Sequence, residues 1–114
     1  VLPATRGVRA NNTAKAWVTF DGTAGSPTPA DSFGVTSITK HAAGDYTINF
    51  AANIFSNANY CAVGSADIGS GAGFIMFRGP VGTVPTATAY RFRTSDAVPN
   101  YFDSPHICIA FFGD

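Results

Sequence analysis

Residues 14–20 read AKAWVTF, and the alternation in this stretch is the strongest local indication of the fold class. In an extended chain successive side chains point to opposite faces, so the stretch has an apolar face and a mixed face. The two faces hold Ala16, Val18 and Phe20 on one side and Lys15, Trp17 and Thr19 on the other. The dipeptide Asp21-Gly22 follows as a turn, so the stretch predicts one β-strand that is buried on one side.

The remainder of the chain repeats this pattern of short apolar or alternating runs separated by turn residues. Residues 25–31 (GSPTPAD) predict a proline-rich loop, and residues 1–13 predict an entry arm or linker before a domain that covers 14–114. Further strands are predicted at 33–40, 45–50, 60–66, 74–78, 86–94 and 106–112. Seven strands in one domain of this size predict an all-β protein, an antiparallel β-sandwich.

The composition agrees with that fold class and excludes several functions. The 114 residues contain no Glu and no Gln but ten Phe, four Tyr, twelve Gly and seven Pro, which favours strands and turns over helices. Seven basic and seven acidic residues give a net charge of zero, which argues against binding to nucleic acid or to an anionic membrane. No apolar run approaches the ~20 residues of a membrane-spanning helix.

The two cysteines, Cys61 and Cys108, lie in different predicted apolar strands. They are interpreted as buried free thiols, although a disulfide between them stays open because the sequence does not give the distance between their backbones. No Cys-x-x-Cys or Cys/His cluster is present, so neither a metal site nor a cofactor is predicted.

The acid and histidine content argues against an enzyme. A nucleophilic triad would have to use His41 or His106, and no Gly-x-Ser-x-Gly motif is present. Asp96 and Asp103 share one loop and form the only suggestive carboxylate pair for glycoside hydrolysis. The other Asp residues mostly occupy turn positions, which turn chemistry explains without catalysis, so no catalytic residue is predicted.

Six residues are candidates for ligand binding through arginine side chains or a loop aromatic. Arginine pairs with anionic groups in a bidentate manner and stacks on rings, and an exposed aromatic can anchor a ligand such as a sugar. The alternatives are a solvated or carboxylate-paired face for the arginines and a hydrophobic plug for the aromatics. The candidates are Arg78, Arg91, Arg93, Asn100, Tyr101 and Phe102.

Five stretches of the chain resemble one family. KAWVTFDGT at 15–23 resembles the "KAWVNFDGT" opening of a domain found at the C-termini of tail-fibre proteins of tailed bacteriophages. The family's "FNVSSIT" is similar to FGVTSIT at 33–39, and its "GDYTVNF" is similar to GDYTINF at 44–50. Its "DANYAVVG" is similar to NANY with the later VG at 57–64. Its closing "DS..V.VAVFG" is similar to DS and ICIAFFG between 103 and 113. The resemblance covers 15–113 and departs at 25–31 and 67–100, so no binding residue is transferred from the family.

The resemblance implies a homotrimeric module at the tip of a virion fibre, assembled in the bacterial cytoplasm and acting outside the cell. Its expected partners are further copies of itself, the rest of the fibre, and a glycan or protein receptor on the host surface. A structural virion module, for fibre trimerisation or capsid decoration, is the alternative. The low charge content of 12% agrees with association, because it suggests apolar surface that one core leaves uncovered.

Overall fold

A computed structural model describes residues 13–67, 83–95 and 100–114, which form seven β-strands and no helix. The strands are β1 (Ala14–Phe20), β2 (Pro29–Phe33), β3 (Val35–Ala42), β4 (Asp45–Phe50), β5 (Cys61–Ala66), β6 (Ala89–Arg93) and β7 (Ile107–Phe112). They form a four-stranded sheet in the order β2-β1-β7-β5 and a three-stranded sheet in the order β3-β4-β6. Every pairing is antiparallel, so the prediction of an all-β fold with two antiparallel sheets is confirmed.

The core lies between the two sheets and is built from the apolar face of each alternating strand. In β1 and β7 every second side chain is buried, and β4 adds a third inward row. Aromatic rings pack edge to face through this layer, with 5.3 Å between the ring centres of Phe20 and Tyr46 and 4.8 Å between those of Phe50 and Phe111. The buried apolar residues are Ala16, Val18, Phe20, Ile38, Tyr46, Ile48, Phe50, Phe55, Phe92, Ile107, Ile109 and Phe111.

The chain passes from one sheet to the other at Gly34. This glycine has a φ of 72°, a left-handed conformation that side chains with a Cβ rarely adopt. Phe33 before it pairs with Trp17 in the four-stranded sheet, and Val35 after it pairs with Phe50 in the three-stranded sheet. The single strand predicted at 33–40 is therefore wrong at its first residues, because the sequence marks the corner between the two sheets only with a glycine.

The proline-rich loop predicted at 25–31 is also wrong in its second half. Residues 29–33 form β2, which pairs antiparallel with β1 and lies at the edge of the four-stranded sheet as described. Pro29 is the first residue of this strand, a position where the missing N–H removes no hydrogen bond within the sheet. The strand predicted at 74–78 and all but the last residue of the entry arm predicted at 1–13 lie outside the described residues.

The strands predicted at 14–20 and 45–50 have those bounds in the structure, and those predicted at 60–66 and 106–112 begin one residue later. The strand predicted at 86–94 is shorter, since Thr86 turns the chain by accepting a hydrogen bond from the N–H of Ala89 on its hydroxyl (3.0 Å). Both cysteines are free, as interpreted, but they are not buried: Cys61 is exposed and Cys108 is half-buried. Their positions alternate with inward residues, which places both thiols on the outer side of the sheet.

Candidate functional site

Two of the predicted arginines meet one aspartate on the outer side of the three-stranded sheet. Asp45 begins β4 directly opposite Arg93 in β6, and Thr47 lies opposite Arg91. Because Tyr46, Ile48 and Phe92 point into the core, their neighbours in sequence point away from it. The alternation of β4 and β6 thus brings Asp45, Arg91 and Arg93 together at one end of this face.

The carboxylate of Asp45 is enclosed by the two guanidinium groups. Arg91 donates from Nε to Oδ1 (3.0 Å) and from Nη2 to Oδ2 (2.9 Å), a bidentate pair. Arg93 donates from Nε to the same Oδ2 (3.3 Å). Asp45 is only 4% exposed, whereas the side chains of Arg91 and Arg93 are 31% and 26% exposed. The carboxylate therefore forms the floor of the site, and the guanidinium groups form its solvent-facing surface.

The charges of this site are fixed by its geometry. Burial alone would raise the pKa of Asp45, but the hydrogen bonds and charge of Arg91 and Arg93 outweigh burial and hold that pKa below its usual value. The hydrogen bond to Asp45 in turn raises the pKa of Arg91. One ionised carboxylate against two guanidinium groups leaves the site with one excess positive charge at neutral pH.

Tyr101 extends the site from the loop that precedes β7. The guanidinium carbon of Arg93 lies 4.4 Å from the centre of the Tyr101 ring, and Nη1 of Arg93 donates to the phenol oxygen (3.1 Å). Ser95 and Tyr101 also form an isolated antiparallel bridge, which holds the loop beside β6. With 37% of its surface exposed, Tyr101 presents an aromatic ring next to a charged group, an arrangement that suits stacking on a ligand.

Hydroxyl and amide groups continue this face away from the arginines. Asn49 donates from Nδ2 to Oγ of Ser37 (3.0 Å) and to Oγ1 of Thr39 (3.1 Å). His41 Nε2 and Thr47 Oγ1 share a hydrogen bond of 2.7 Å. Neighbouring side chains thus hold each other in place and offer a flat polar surface with donors and acceptors. We call Asp45, Arg91, Arg93, Tyr101 and these five side chains the polar face.

Asp103 anchors the loop that carries Tyr101. Its Oδ2 accepts from Nζ of Lys40 (2.8 Å), and its Oδ1 accepts from the N–H of Gly44 and the hydroxyl of Tyr46 (both 2.9 Å). Although burial would raise the pKa of Asp103, these hydrogen bonds and the charge of Lys40 outweigh it and lower that pKa. Three donors that each belong to the β3–β4 hairpin explain Asp103 as a structural residue, and its suggested partner Asp96 lies outside the described residues.

The six predicted site residues differ in where they lie in the structure. It joins Arg91, Arg93 and Tyr101 in one network. Asn100 is exposed next to Tyr101, whereas Phe102 is half-buried and its backbone is bound to Thr94 through two hydrogen bonds. Arg78 lies outside the described residues.

Sequence reasoning did not include Asp45 among the candidate binding residues, and it named Asp103 only as half of a suggestive carboxylate pair. The position of Asp45 directly after Gly44 is typical of a turn residue, although in an alternating strand it shares one face with Thr47 and Asn49. The side-chain pairing of Asp45 with β6 depends on a contact 46 residues away, so the local pattern alone did not predict it.

In the described ranges, 13–67, 83–95 and 100–114, no group of three or more His, Cys, Asp or Glu side chains could hold a metal ion. A helix long and apolar enough to cross a membrane is likewise not found in that part of the chain. No protein-family model, curated protein or solved structure matches the chain. The resemblance to tail-fibre domains therefore stays a prediction that rests on the motifs themselves.

Proposed function

We propose that this chain is the distal receptor-binding module of a bacteriophage tail fibre and attaches the virion to a glycan or protein on the host cell surface. The sequence resemblance over 15–113 supplies the class of protein. The observation that carries the binding role is the solvent-facing network of Asp45, Arg91, Arg93 and Tyr101 on the polar face. The proposal includes a homotrimer on the virion, in which each copy presents this face to the host.

The network suits recognition because its side chains are already ordered. Arg91 is fixed by two hydrogen bonds, and Arg93 is held between Asp45 and the Tyr101 ring, so little side-chain freedom is lost when a ligand binds. Planar guanidinium groups and a neighbouring ring can contact both the polar edge and the apolar face of a sugar. A rigid polar surface of this kind supports binding without requiring a catalytic group.

The excess positive charge indicates which ligands fit best. Guanidinium groups bind carboxylate and phosphate groups through paired hydrogen bonds, and Asp45 neutralises only one of the two. We therefore place saccharides that carry carboxylate or phosphate groups first among the candidate receptors. The hydroxyl and amide groups of Ser37, Thr39 and Asn49 would contact neutral sugar units beside them.

Host-cell binding of the purified domain tests this function. We expect the fluorescently labelled domain to bind susceptible cells in a panel of bacterial strains and to block phage adsorption to them. Replacing Tyr101→Ala should weaken binding by about tenfold or more, because an aromatic anchor is removed from the centre of the contact. Arg93→Lys, which keeps the charge but loses the planar fork, should weaken it as well.

The matched control is Ser26→Ala, an exposed position in the loop before β2, which should bind like the wild type. Full blocking activity in both Tyr101→Ala and Arg93→Lys would show that the polar face is not the receptor site. A wild-type domain that binds no strain and leaves adsorption unchanged would contradict the receptor-binding function itself.

The second candidate is a structural virion module without receptor binding. The exposed apolar side chains of Phe33 and Val63 on the four-stranded sheet favour it, because such surface marks protein contacts. Both candidates share the fold, and the adsorption experiment separates them.

A further inference from the structure

A thiol and an imidazole meet on the outer side of the four-stranded sheet, on the other sheet from the polar face. Sγ of Cys108 lies 3.1 Å from Nε2 of His106. The two residues are separated by one position, and the intervening Ile107 is fully buried, so both side chains point away from the core. His106 is exposed, whereas Cys108 is half-buried. We call Cys108 and His106 the thiol–imidazole pair.

The backbone that carries the pair is fixed. The carbonyl oxygen of His106 accepts from the N–H of Asp67 (3.0 Å) and from the hydroxyl of Ser104 (3.1 Å). The N–H of His106 donates to the same hydroxyl (3.3 Å). Cys108 lies in β7, which is paired with β1 on one side and with β5 on the other. The sulfur and the ring nitrogen are therefore held together by an ordered framework, so little rearrangement precedes a reaction between them.

The short distance allows one proton to pass between the two atoms. While Nε2 of His106 carries no proton, the thiol of Cys108 donates to it, and after transfer the protonated ring donates to the thiolate. The thiolate is the nucleophilic form of cysteine, and a neighbouring imidazole is a common base that generates it. The other histidine, His41, is bonded to Thr47 on the three-stranded sheet. The pair therefore distinguishes Cys108 chemically from Cys61, the second free cysteine.

Cys108 borders a shallow groove between β5 and β7. The groove has a volume of about 320 Å³ and is lined by Val63, Gly64, Ser65, Cys108, Ile109 and Ala110. This volume lies at the lower end of the range for small-molecule sites, and the lining residues carry no charged side chain. The groove thus suits a small uncharged molecule beside the cysteine.

The pair is better suited to a covalent reaction than to a metal ion. Structural zinc sites use four ligands, most of them Cys or His side chains. Among the residues that the structure describes, no group of three or more His, Cys, Asp or Glu side chains could hold a metal ion. A thiol with its own base beside an apolar groove instead suits attack on a soft electrophile such as a disulfide.

We propose that Cys108 is a site of covalent modification by small uncharged disulfides, and that His106 is the base that makes its thiol reactive. Nε2 of His106 takes the thiol proton, and the thiolate of Cys108 attacks one sulfur of the disulfide. The S–S bond of the disulfide breaks as a new S–S bond to Cys108 forms, so the Cys108 sulfur is oxidised and the departing half is reduced. The departing thiolate takes the proton from the imidazolium, which returns the ring to its neutral form. The inference is independent of receptor binding, because the pair and the polar face lie on different sheets.

Rates of thiol modification at pH 7 test the proposal, with bis(2-hydroxyethyl) disulfide as the probe. Two variants each keep a single cysteine: Cys61→Ser reports on Cys108, and Cys108→Ser reports on Cys61. Mass spectrometry of the intact chain follows the mixed disulfide. We expect Cys108 to react about tenfold faster than Cys61 or more, although Cys108 is the less exposed thiol. Exposure alone predicts the opposite order.

His106→Gln in the Cys61→Ser background tests the role of the ring. The amide keeps a polar side chain but is no base at neutral pH, so the rate at Cys108 should fall by about tenfold or more. Loss of packing alone would expose the sulfur and raise the rate, so the direction of the change separates a base from a merely structural residue. The same substitution in the Cys108→Ser background is the matched control and should leave the rate at Cys61 unchanged.

The outcomes decide the proposal in the folded and in the unfolded chain. A rate at Cys108 no higher than at Cys61, or one that His106→Gln leaves unchanged or raises, would overturn it. In concentrated urea the pair is separated, so the two thiols should react at similar rates; a difference that persists there would assign it to local sequence and contradict the pair. Circular dichroism checks that His106→Gln keeps the wild-type spectrum, and His106→Asn replaces it if it does not.

Discussion

At the residue scale, Asp103 shows how one carboxylate positions the candidate site without belonging to it. It accepts from Lys40, Gly44 and Tyr46, and so fixes the loop from which Tyr101 reaches Arg93. Lys40 also donates to the carbonyl oxygens of Gly22 and Ala24, which ties the same hairpin to the turn after β1. The loop that carries the exposed ring is thus bound to the buried framework by charge-assisted hydrogen bonds.

We therefore expect Asp103→Asn to lower the free energy of unfolding by about 1–2 kcal/mol, because the amide loses the ion pair and cannot accept all three hydrogen bonds. Urea denaturation at pH 7 measures the change. Asp31→Asn is the control, since among the described residues its carboxylate accepts a local bond from Ser32 N–H that an amide oxygen can also accept, and it should unfold like the wild type. Equal loss of stability in both variants would contradict the anchoring role of Asp103.

The lowered pKa values of Asp45 and Asp103 also predict how stability depends on pH. A carboxyl whose pKa is lower in the folded than in the unfolded chain stabilises the fold above its ordinary pKa of 3.8, and this contribution is lost as the pH falls through the folded pKa. The stability gap between the wild type and Asp103→Asn should then be full at pH 5–7 and shrink below about pH 4. A gap that stays constant to pH 2.5 would contradict this assignment.

At the scale of elements, the corner at Gly34 decides how the two sheets are connected. The run 33–40 (FGVTSITK) predicts one strand, because it is rich in Phe, Val, Ile and Thr and only Gly34 interrupts it. In the structure Gly34 adopts a left-handed φ, and a Cβ placed there would lie 2.7 Å from the carbonyl oxygen of Lys15. The glycine is thus required both by its backbone angle and by the close approach of β1.

Gly34→Ala should lower the free energy of unfolding by about 2 kcal/mol or more, because a non-glycine residue in this conformation costs about 1–2 kcal/mol before the contact with β1 is added. Thermal and urea denaturation would measure the change. Gly25→Ala is the matched control: nothing lies within 4 Å of its Cβ position and its φ is not left-handed, so its effect should be near zero. Similar melting of the two variants would show that the corner tolerates a side chain.

The elements that the sequence predicts well are those with strict alternation and a clear end. The run 14–20 ends at Asp21-Gly22, and the run 45–50 begins after Gly44. The period of two in each run predicts which side chains are buried. Residues 29–33 (PADSF) have no alternation, and their strand is stabilised by pairing with β1, which a local pattern does not contain. The site divides in the same way: the period of two predicts that Arg91 and Arg93 share a face, but their contact with Asp45 depends on strand pairing.

At the scale of the whole molecule, the two sheets differ in what they show to solvent. The polar face carries a network of ion pairs and hydrogen bonds, whereas the outer side of the four-stranded sheet exposes the large apolar side chains of Phe33 and Val63. The low charge content and the surplus of apolar residues predicted that some apolar surface would stay uncovered, and the structure shows which sheet carries it. Which face would be apolar could not be predicted, since it depends on the order of strands in the sheets.

The homotrimer of the proposed function predicts that thermal stability depends on chain concentration. Copies that bind only the folded state shift the folding equilibrium by mass action, so a tenfold increase in concentration should raise the melting temperature of the wild type measurably. A melting temperature of the wild type that does not change over a hundredfold range would contradict association.

The polar face and the exposed apolar side chains of the four-stranded sheet lie on opposite outer surfaces, which has a consequence for how a fibre tip of the proposed kind would attach to a cell. With the apolar surfaces turned toward a common axis, the Arg–Asp–Arg–Tyr networks of all copies would point outward and could engage several receptors at once. Such avidity allows each single contact between a network and a receptor to be weak and reversible, while the virion as a whole binds the cell tightly. Because the hydrophobic core separates the two surfaces, substitutions in the polar face would change which receptor is bound and leave the opposite surface undisturbed.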